Sequence, residues 1–160
     1  MKSPLLILVC ITLAMSCGRA KPAGFWTNFH KDLLIKNTSD HGPWGGHSTW
    51  VWESNTTTFT DAAVINFATK NGWTITDSLT LSADTISSTD LPVLKGDAYC
   101  VDLLKSTVIP TLEPGDCTII IFKTGWLAVE PGNARETLAN GFAVLNAAGT
   151  RLKIYHQWGE

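Results

Sequence analysis

The apolar residues of the chain change rhythm several times, and each rhythm predicts an element. Phe25, Phe29, Leu33 and Leu34 recur at helical spacing, with Thr27 or Asn28 as N-cap, which predicts a short helix over 25–37. The polar, Gly- and Pro-containing stretch 37–46 predicts a loop. In 47–53 Trp50 and Trp52 alternate with polar neighbours, as on one face of a strand. Over 61–71, Val64, Phe67 and Ala68 form one helical stripe flanked by Ala63 and Ile65. Thr58 or Thr60 and Asp61 suit the start of that helix, and Asn71-Gly72 suits its stop, with Trp73 placed to fold back on the last turn.

Beyond Trp73 the period returns to two. Residues 73–76 and 79–81 alternate as strand, and the polar stretch 82–90 predicts a loop. In 97–108, Tyr99, Val101 and Leu103 fit a strand, whereas Leu104 and Val108 fit a helix starting at Asp97; the helix is preferred. Glu113-Pro114-Gly115-Asp116 and Glu130-Pro131-Gly132-Asn133 place Pro and Gly as type II turns require. Thr118 to Phe122 is an unbroken β-branched and aromatic run, which predicts a central strand buried on both faces. Residues 126–130 are expected to pair with it through a turn at Lys123-Thr124-Gly125. Residues 142–146 and 151–158 complete a last hairpin. The expected fold class is α+β: one mainly antiparallel β-sheet with two or three helices packed on one face.

The N-terminus changes the picture from fold to address. Lys2 precedes the apolar run Leu5 to Met15, which at about eleven residues is too short to span a bilayer and suits a signal-peptide core. Ala14 and Ser16 are small residues placed for cleavage before Cys17. A cysteine at the first mature position resembles the lipobox of bacterial lipoproteins. Ala14 departs from the Leu usual in that family, and Leu13 sits one place early. The resemblance implies acyl groups, palmitate among them, on Cys17, and so a membrane as partner. Two or more chains hold a protein on a bilayer where one does not. Gly18, in place of the Asp that marks inner-membrane retention in enteric lipoproteins, implies the outer membrane rather than the inner. The expected organisation is a signal peptide at 1–16, a flexible lipid-attached tether at 17–24, and one globular domain at 25–160.

Composition adds limits. Losing Lys2 with the leader takes the formal charge from −2 to −3, and no basic run occurs, so nucleic acid is not an expected partner. Cys10 leaves with the leader and Cys17 takes lipid, which leaves Cys100 and Cys117. In an oxidising envelope these two are expected to form a disulfide stabilising the fold by about 3 kcal/mol, against the alternative of two buried thiols.

Candidate chemistry is densest between Asp40 and Glu53. His41 and His47 with the neighbouring carboxylates offer ligands for zinc or a related metal, although a third would have to come from His30 or His156. Trp44, Trp50 and Trp52 offer flat faces for a sugar ring or an apolar partner; alternatively Trp50, Trp52, Trp73 and Trp126 fill the layer between sheet and helices. Catalytic signatures are missing: no Gly-x-Ser-x-Gly elbow, no His-Glu-x-x-His and no phosphate-cradling glycine loop. The expectation is a non-catalytic, lipid-anchored envelope protein, needing no cofactor, that binds another envelope protein or glycan. The alternatives are a glycan-binding module using its exposed tryptophans and a small metal-dependent hydrolase centred on His41 and His47. Asn37 and Asn55 match the N-glycosylation acceptor and matter only for a secreted eukaryotic chain.

Overall fold

A computed structural model describes residues 23–82 and 97–160. The expected signal peptide, Cys17 and nearly all of the 82–90 loop lie outside the described residues. The chain forms β1 (Leu34–His41), β2 (Gly45–Glu53), α1 (Asp61–Lys70), β3 (Thr74–Leu81), α2 (Ala98–Leu103), β4 (Cys117–Val129), β5 (Glu136–Asn146) and β6 (Arg151–Gly159). The six strands make one sheet in the order β1-β2-β6-β5-β4-β3, antiparallel except for a single parallel bridge between Ala128 and Gly159.

The pairing registers stack side chains into rows on two faces. On the first face Trp52, Leu152 and Leu145 form one row, and Trp50, Ile154, Ala143 and Ile120 the next. On the second, Val51, Lys153, Val144, Ile119 and Leu79 form a row beside Thr49, Tyr155, Phe142 and Ile121. Ile119, Ile120, Ile121 and Phe122 are all buried, so the apolar run of β4 needs cover on both sides. Each such side chain contributes roughly 1.5–3 kcal/mol by leaving water.

That requirement corrects the expected layering. Helices do not pack together on one face: α1 sets Val64 and Ala68 into the core of the first face, whereas α2 and the wide turn after it (Leu104–Val108) set Tyr99, Cys100, Leu103, Leu104 and Val108 into the core of the second. Only these two α-helices occur among the described residues, besides short 3₁₀ turns and the wide turn Leu104–Val108, and no helix there is long and apolar enough to cross a membrane. Both begin with a capped turn. Thr60 accepts from the Ala63 N–H at 3.2 Å, and Asp97 accepts from the Cys100 N–H at 2.7 Å while its other carboxylate oxygen accepts from Thr137 Oγ1. At the end of α1, Gly72 N–H bonds Thr69 O and Trp73 N–H bonds Ala68 O, a Schellman closure that folds Trp73 into the core as expected.

Two further expectations fail near the N-terminus. The helix over 25–37 is replaced by 3₁₀ turns at Gly24–Asn28 and Lys31–Leu33, followed by β1. Trp26, fully buried, meets the rings of Phe25, Phe29, Trp52, Phe67 and Trp73, and Trp52 Nε1 donates to Phe29 O at 2.6 Å. A continuous helix cannot place Trp26 and Phe29 in the core while freeing that carbonyl. Ala23, at the end of the expected tether, is already buried. The 37–46 loop is instead a hairpin of β1 and β2.

The third failure is at 123–130. β4 does not turn back on itself at Lys123-Thr124-Gly125; it runs on, with a bulge, and 128–129 pair with 136–137 of β5. Gly125, at φ +80°, supplies the left-handed residue in that bulge. A buried hydrogen-bond network fixes it. Asn140 Nδ2 donates to Trp126 O (2.8 Å) and Gln157 O (2.7 Å), and Asn140 Oδ1 accepts from Thr124 Oγ1 (2.7 Å). Trp126 N–H donates to Thr124 Oγ1. With the hydroxyl proton of Thr124 committed to Asn140, His156 must donate Nε2–H to Thr124 Oγ1 at 3.1 Å. Its Nδ1 is therefore the bare acceptor, buried without a partner, and the ring lies between Trp73 and Trp158. Gly141 makes this possible, since a Cβ there would stand 2.6 Å from the Trp73 ring and 2.7 Å from the Thr124 methyl.

Burial depresses the His156 pKa from 6.5 to about 3. Between those values the unfolded chain takes up a proton that the native protein refuses. The stability held above pH 6.5 is therefore lost as pH falls, by up to about 1.4 kcal/mol per pH unit. Urea denaturation at pH 7 and pH 5 is expected to show this loss in the wild type and to show it largely removed in His156→Gln. Equal pH dependence in the two proteins would contradict the assignment.

Candidate functional site

α2 and the segment after it cover the second face over β3, β4 and β5 and over the Tyr155–Gln157 part of β6. Over β1, β2 and the Arg151–Lys153 end of β6 that cover is lacking, and a groove of about 350 Å³ forms where the uncovered part meets the chain leaving α2. Its floor carries Lys36 and Thr38 of β1, Thr49 and Val51 of β2, and Arg151 and Lys153 of β6. Its wall is Thr111, Leu112, Glu113 and Pro114, with Asp116 below. The wall stands there because the 3₁₀ turn Ile109–Thr111 and the Pro114-Gly115 bend carry the chain from the end of α2 to β4 across the ends of β5 and β6.

The charges of the groove are not all matched. Arg151 reaches Glu113 at 2.7 Å and Glu53 at 3.8 Å. Lys36 and Lys153 flank Val51 in one cross-strand row, so both rise from the same face. Among the described residues no carboxylate is bonded to either; Lys153 Nζ donates instead to Thr111 Oγ1 at 2.6 Å. Burial, then the nearby Lys36 and Arg151, lower the Lys153 pKa, with Glu113 opposing. A half-buried ammonium beside a second ammonium is short of negative charge; Thr111 already donates its hydroxyl to Val108 O, but the hydroxyls of Thr38 and Thr49 line the same groove and can donate to an acceptor.

The residues predicted to carry chemistry fall elsewhere. Trp50 and Trp52 are core, at 2% and 0% exposure, and cannot stack on a ligand; Trp44, on the β1–β2 turn, is 79% exposed. His47 pairs with Asp40, and His41 with Gly46. Because neighbouring residues of a strand point to opposite faces, His41 and His47 lie on opposite sides of the hairpin and cannot share an ion. His47 stacks on Tyr155, and His30 packs against Phe29 and Phe59. Among the described residues no three His, Cys, Asp or Glu side chains are grouped to hold a metal. Asn37 and Asn55 are exposed.

Cys100 and Cys117 are buried free thiols in the core of the second face, without the expected disulfide. Cys100 lies on α2 and Cys117 at the start of β4. Burial and the nearby Asp97 and Asp77 push the Cys100 pKa up to about 12, and burial with Asp116 raises that of Cys117. The thiolate is the reactive form, so neither is a nucleophile at neutral pH.

The lysine pair escaped sequence reasoning because its members lie on distant strands and meet only through the order β1-β2-β6. The one usable signal was local: Lys153 sits at an alternating, inward-facing position of the last strand. No protein-family model, no curated protein and no solved structure matches this chain.

Iodoacetamide at pH 8 is expected to leave Cys100 and Cys117 unmodified in the native protein and to label both once the chain is unfolded without reductant. Intact mass reads the result. Rapid native labelling, or no labelling of the unfolded unreduced chain, would contradict two buried free thiols.

Proposed function

We propose that the chain is a non-catalytic binding module of the cell envelope, held on a membrane, the outer rather than the inner, through acyl groups on Cys17. We further propose that the groove on its second face takes a small anionic ligand of the carboxylate or phosphate class. The observation that carries the ligand is the Lys36–Lys153 pair. An oxyanion between the two ammonium groups would relieve the repulsion and desolvation that lower the Lys153 pKa, and charge-assisted bonds of this kind are the stronger ones. Thr38 and Thr49 supply neutral donors, while Val51, Leu112 and Val144 offer apolar contact for a short carbon skeleton.

The non-catalytic reading is supported by the separation of His41 from His47, by the sealed position of His156 and by the high pKa of both thiols. A glycan-stacking surface retains only Trp44 of its three expected residues. The anchor is supported by the lipobox-like end of the leader.

Calorimetric titration at low salt with inorganic phosphate and with succinate tests the groove. Binding of at least one of them is expected, weakening with added salt and falling at least tenfold in Lys153→Met and in Lys36→Met. Binding is also expected to raise the Lys153 pKa, read by NMR of its Nζ. Absence of heat with both probes, or equal affinity in the lysine variants, would overturn the ligand assignment.

A further inference from the structure

Six exposed large hydrophobic side chains occur among the described residues, and four of them, Trp44, Trp126, Leu127 and Leu138, belong to one corner of the sheet. The pairing brings them there. Gly159 of β6 pairs with Gly45, next to Trp44, and also meets Ala128, next to Leu127. Glu160 N–H donates to Trp44 O. Ala128 pairs with Thr137, next to Leu138. Trp126 is 41% exposed, Leu127 41% and Leu138 43%, and the Thr124–Asn140–His156 network holds the bulge from which the first two project.

The described residues begin near the bulge. Phe25, two residues after Ala23, packs edge-on against Trp73 with ring centres 5.5 Å apart. Trp73 in turn lies against His156, Gly141 and the Thr124 methyl, at the start of the bulge. Six peptide units separate Ala23 from Cys17, and fully extended they reach roughly 20 Å.

We propose that this corner is a membrane-docking surface, and that its occupant is the interface of the same bilayer that holds the Cys17 acyl chains. The inference rests on the anchor proposed above. With Cys17 no more than about 20 Å of extended chain from Ala23, a bilayer holding its acyl groups would lie within reach of this corner. Tryptophan is the side chain best suited to that depth, with an apolar ring for the acyl boundary and an N–H for the wet side. Leu127 and Leu138 bury apolar area beside it. The groove with Lys36 and Lys153 lies towards the opposite end of β6, so docking at the corner leaves it open to solvent. A lipid-anchored protein seated this way holds a defined orientation, with its binding site pointing away from the membrane.

The test uses the full protein purified from its native membrane and reconstituted in phosphatidylethanolamine/phosphatidylglycerol vesicles, with and without lipids brominated on their acyl chains. Bromolipid is expected to quench part of the tryptophan fluorescence, and Trp44→Phe/Trp126→Phe is expected to lose at least half of that quenching. Trp26, Trp50, Trp52 and Trp73 are buried and contribute little to it. Phenylalanine keeps the apolar character of the corner, and an unchanged thermal midpoint confirms that the variant is folded. The intact mass of each preparation separates the two ways of failing. Acyl groups on Cys17 with no quenching, or with quenching unchanged in the variant, would overturn the docking corner and leave the anchor standing. A mass without acyl groups would remove the anchor and the docking inference with it.

Discussion

Everything in this fold depends on the need to bury both sides of β4. Four consecutive apolar side chains, Ile119 to Phe122, cannot be shielded by one layer of helix, because alternate residues of a strand face opposite ways. The chain answers with two unlike covers. On the first face the Schellman turn at Trp73 and the buried ring of Trp26 close an aromatic layer under α1. On the second, Asp97 caps α2 and holds it to Thr137, so that the cover is tied to β5, the neighbour of the strand it protects. The second cover stops short, and the uncovered half of that face is where the groove forms.

A second constraint acts at the other end of β4. Asn140 spends both amide hydrogens on carbonyls of two different strands and its oxygen on Thr124, so a single side chain joins the bulge of β4 to β5 and β6. Removing such a buried hub leaves several polar atoms without partners, each at a cost of about 1–3 kcal/mol. The network also carries a cost of its own, since the Nδ1 of His156 has no partner. The bulge gains from this a fixed direction, and two large apolar residues are turned outwards.

The sequence was legible where one rhythm dominated. α1 follows from its stripe, its Thr60 cap and its Gly72 stop, β2 follows from alternation, and β6 and the second half of β5 (142–146) follow from the last expected hairpin, whereas 136–141 of β5 were not foreseen. The burial of β4 on both faces was also visible in its unbroken apolar run, and that expectation was already at odds with helices packed on a single face. β1 could not be seen because it is polar on both sides: Asn37 and Ser39 face one way, Lys36, Thr38 and Asp40 the other. Phe25 and Phe29 imitate a helical stripe, but tertiary packing of Trp26 and the hydrogen bond from Trp52 to Phe29 override it. The continuity of β4 through Gly125 was hidden because a bulge and a hairpin turn use the same residue types. The groove depends on strand order, which no local pattern records.

β1 has one further consequence. It is an edge strand whose side chains are almost all exposed, and its ladder to β2 is the main tie to the sheet. Such a strand opens at a lower free energy than the strands inside the sheet, so its amide hydrogens exchange with solvent while those of β4 and β5 remain protected. Lys36 travels with it. The groove is thus built from one half that is part of the rigid core and one half that belongs to an edge strand that opens more readily. An anion bound across Lys36 and Lys153 would therefore hold this edge closed, and fraying of the edge would weaken its hold.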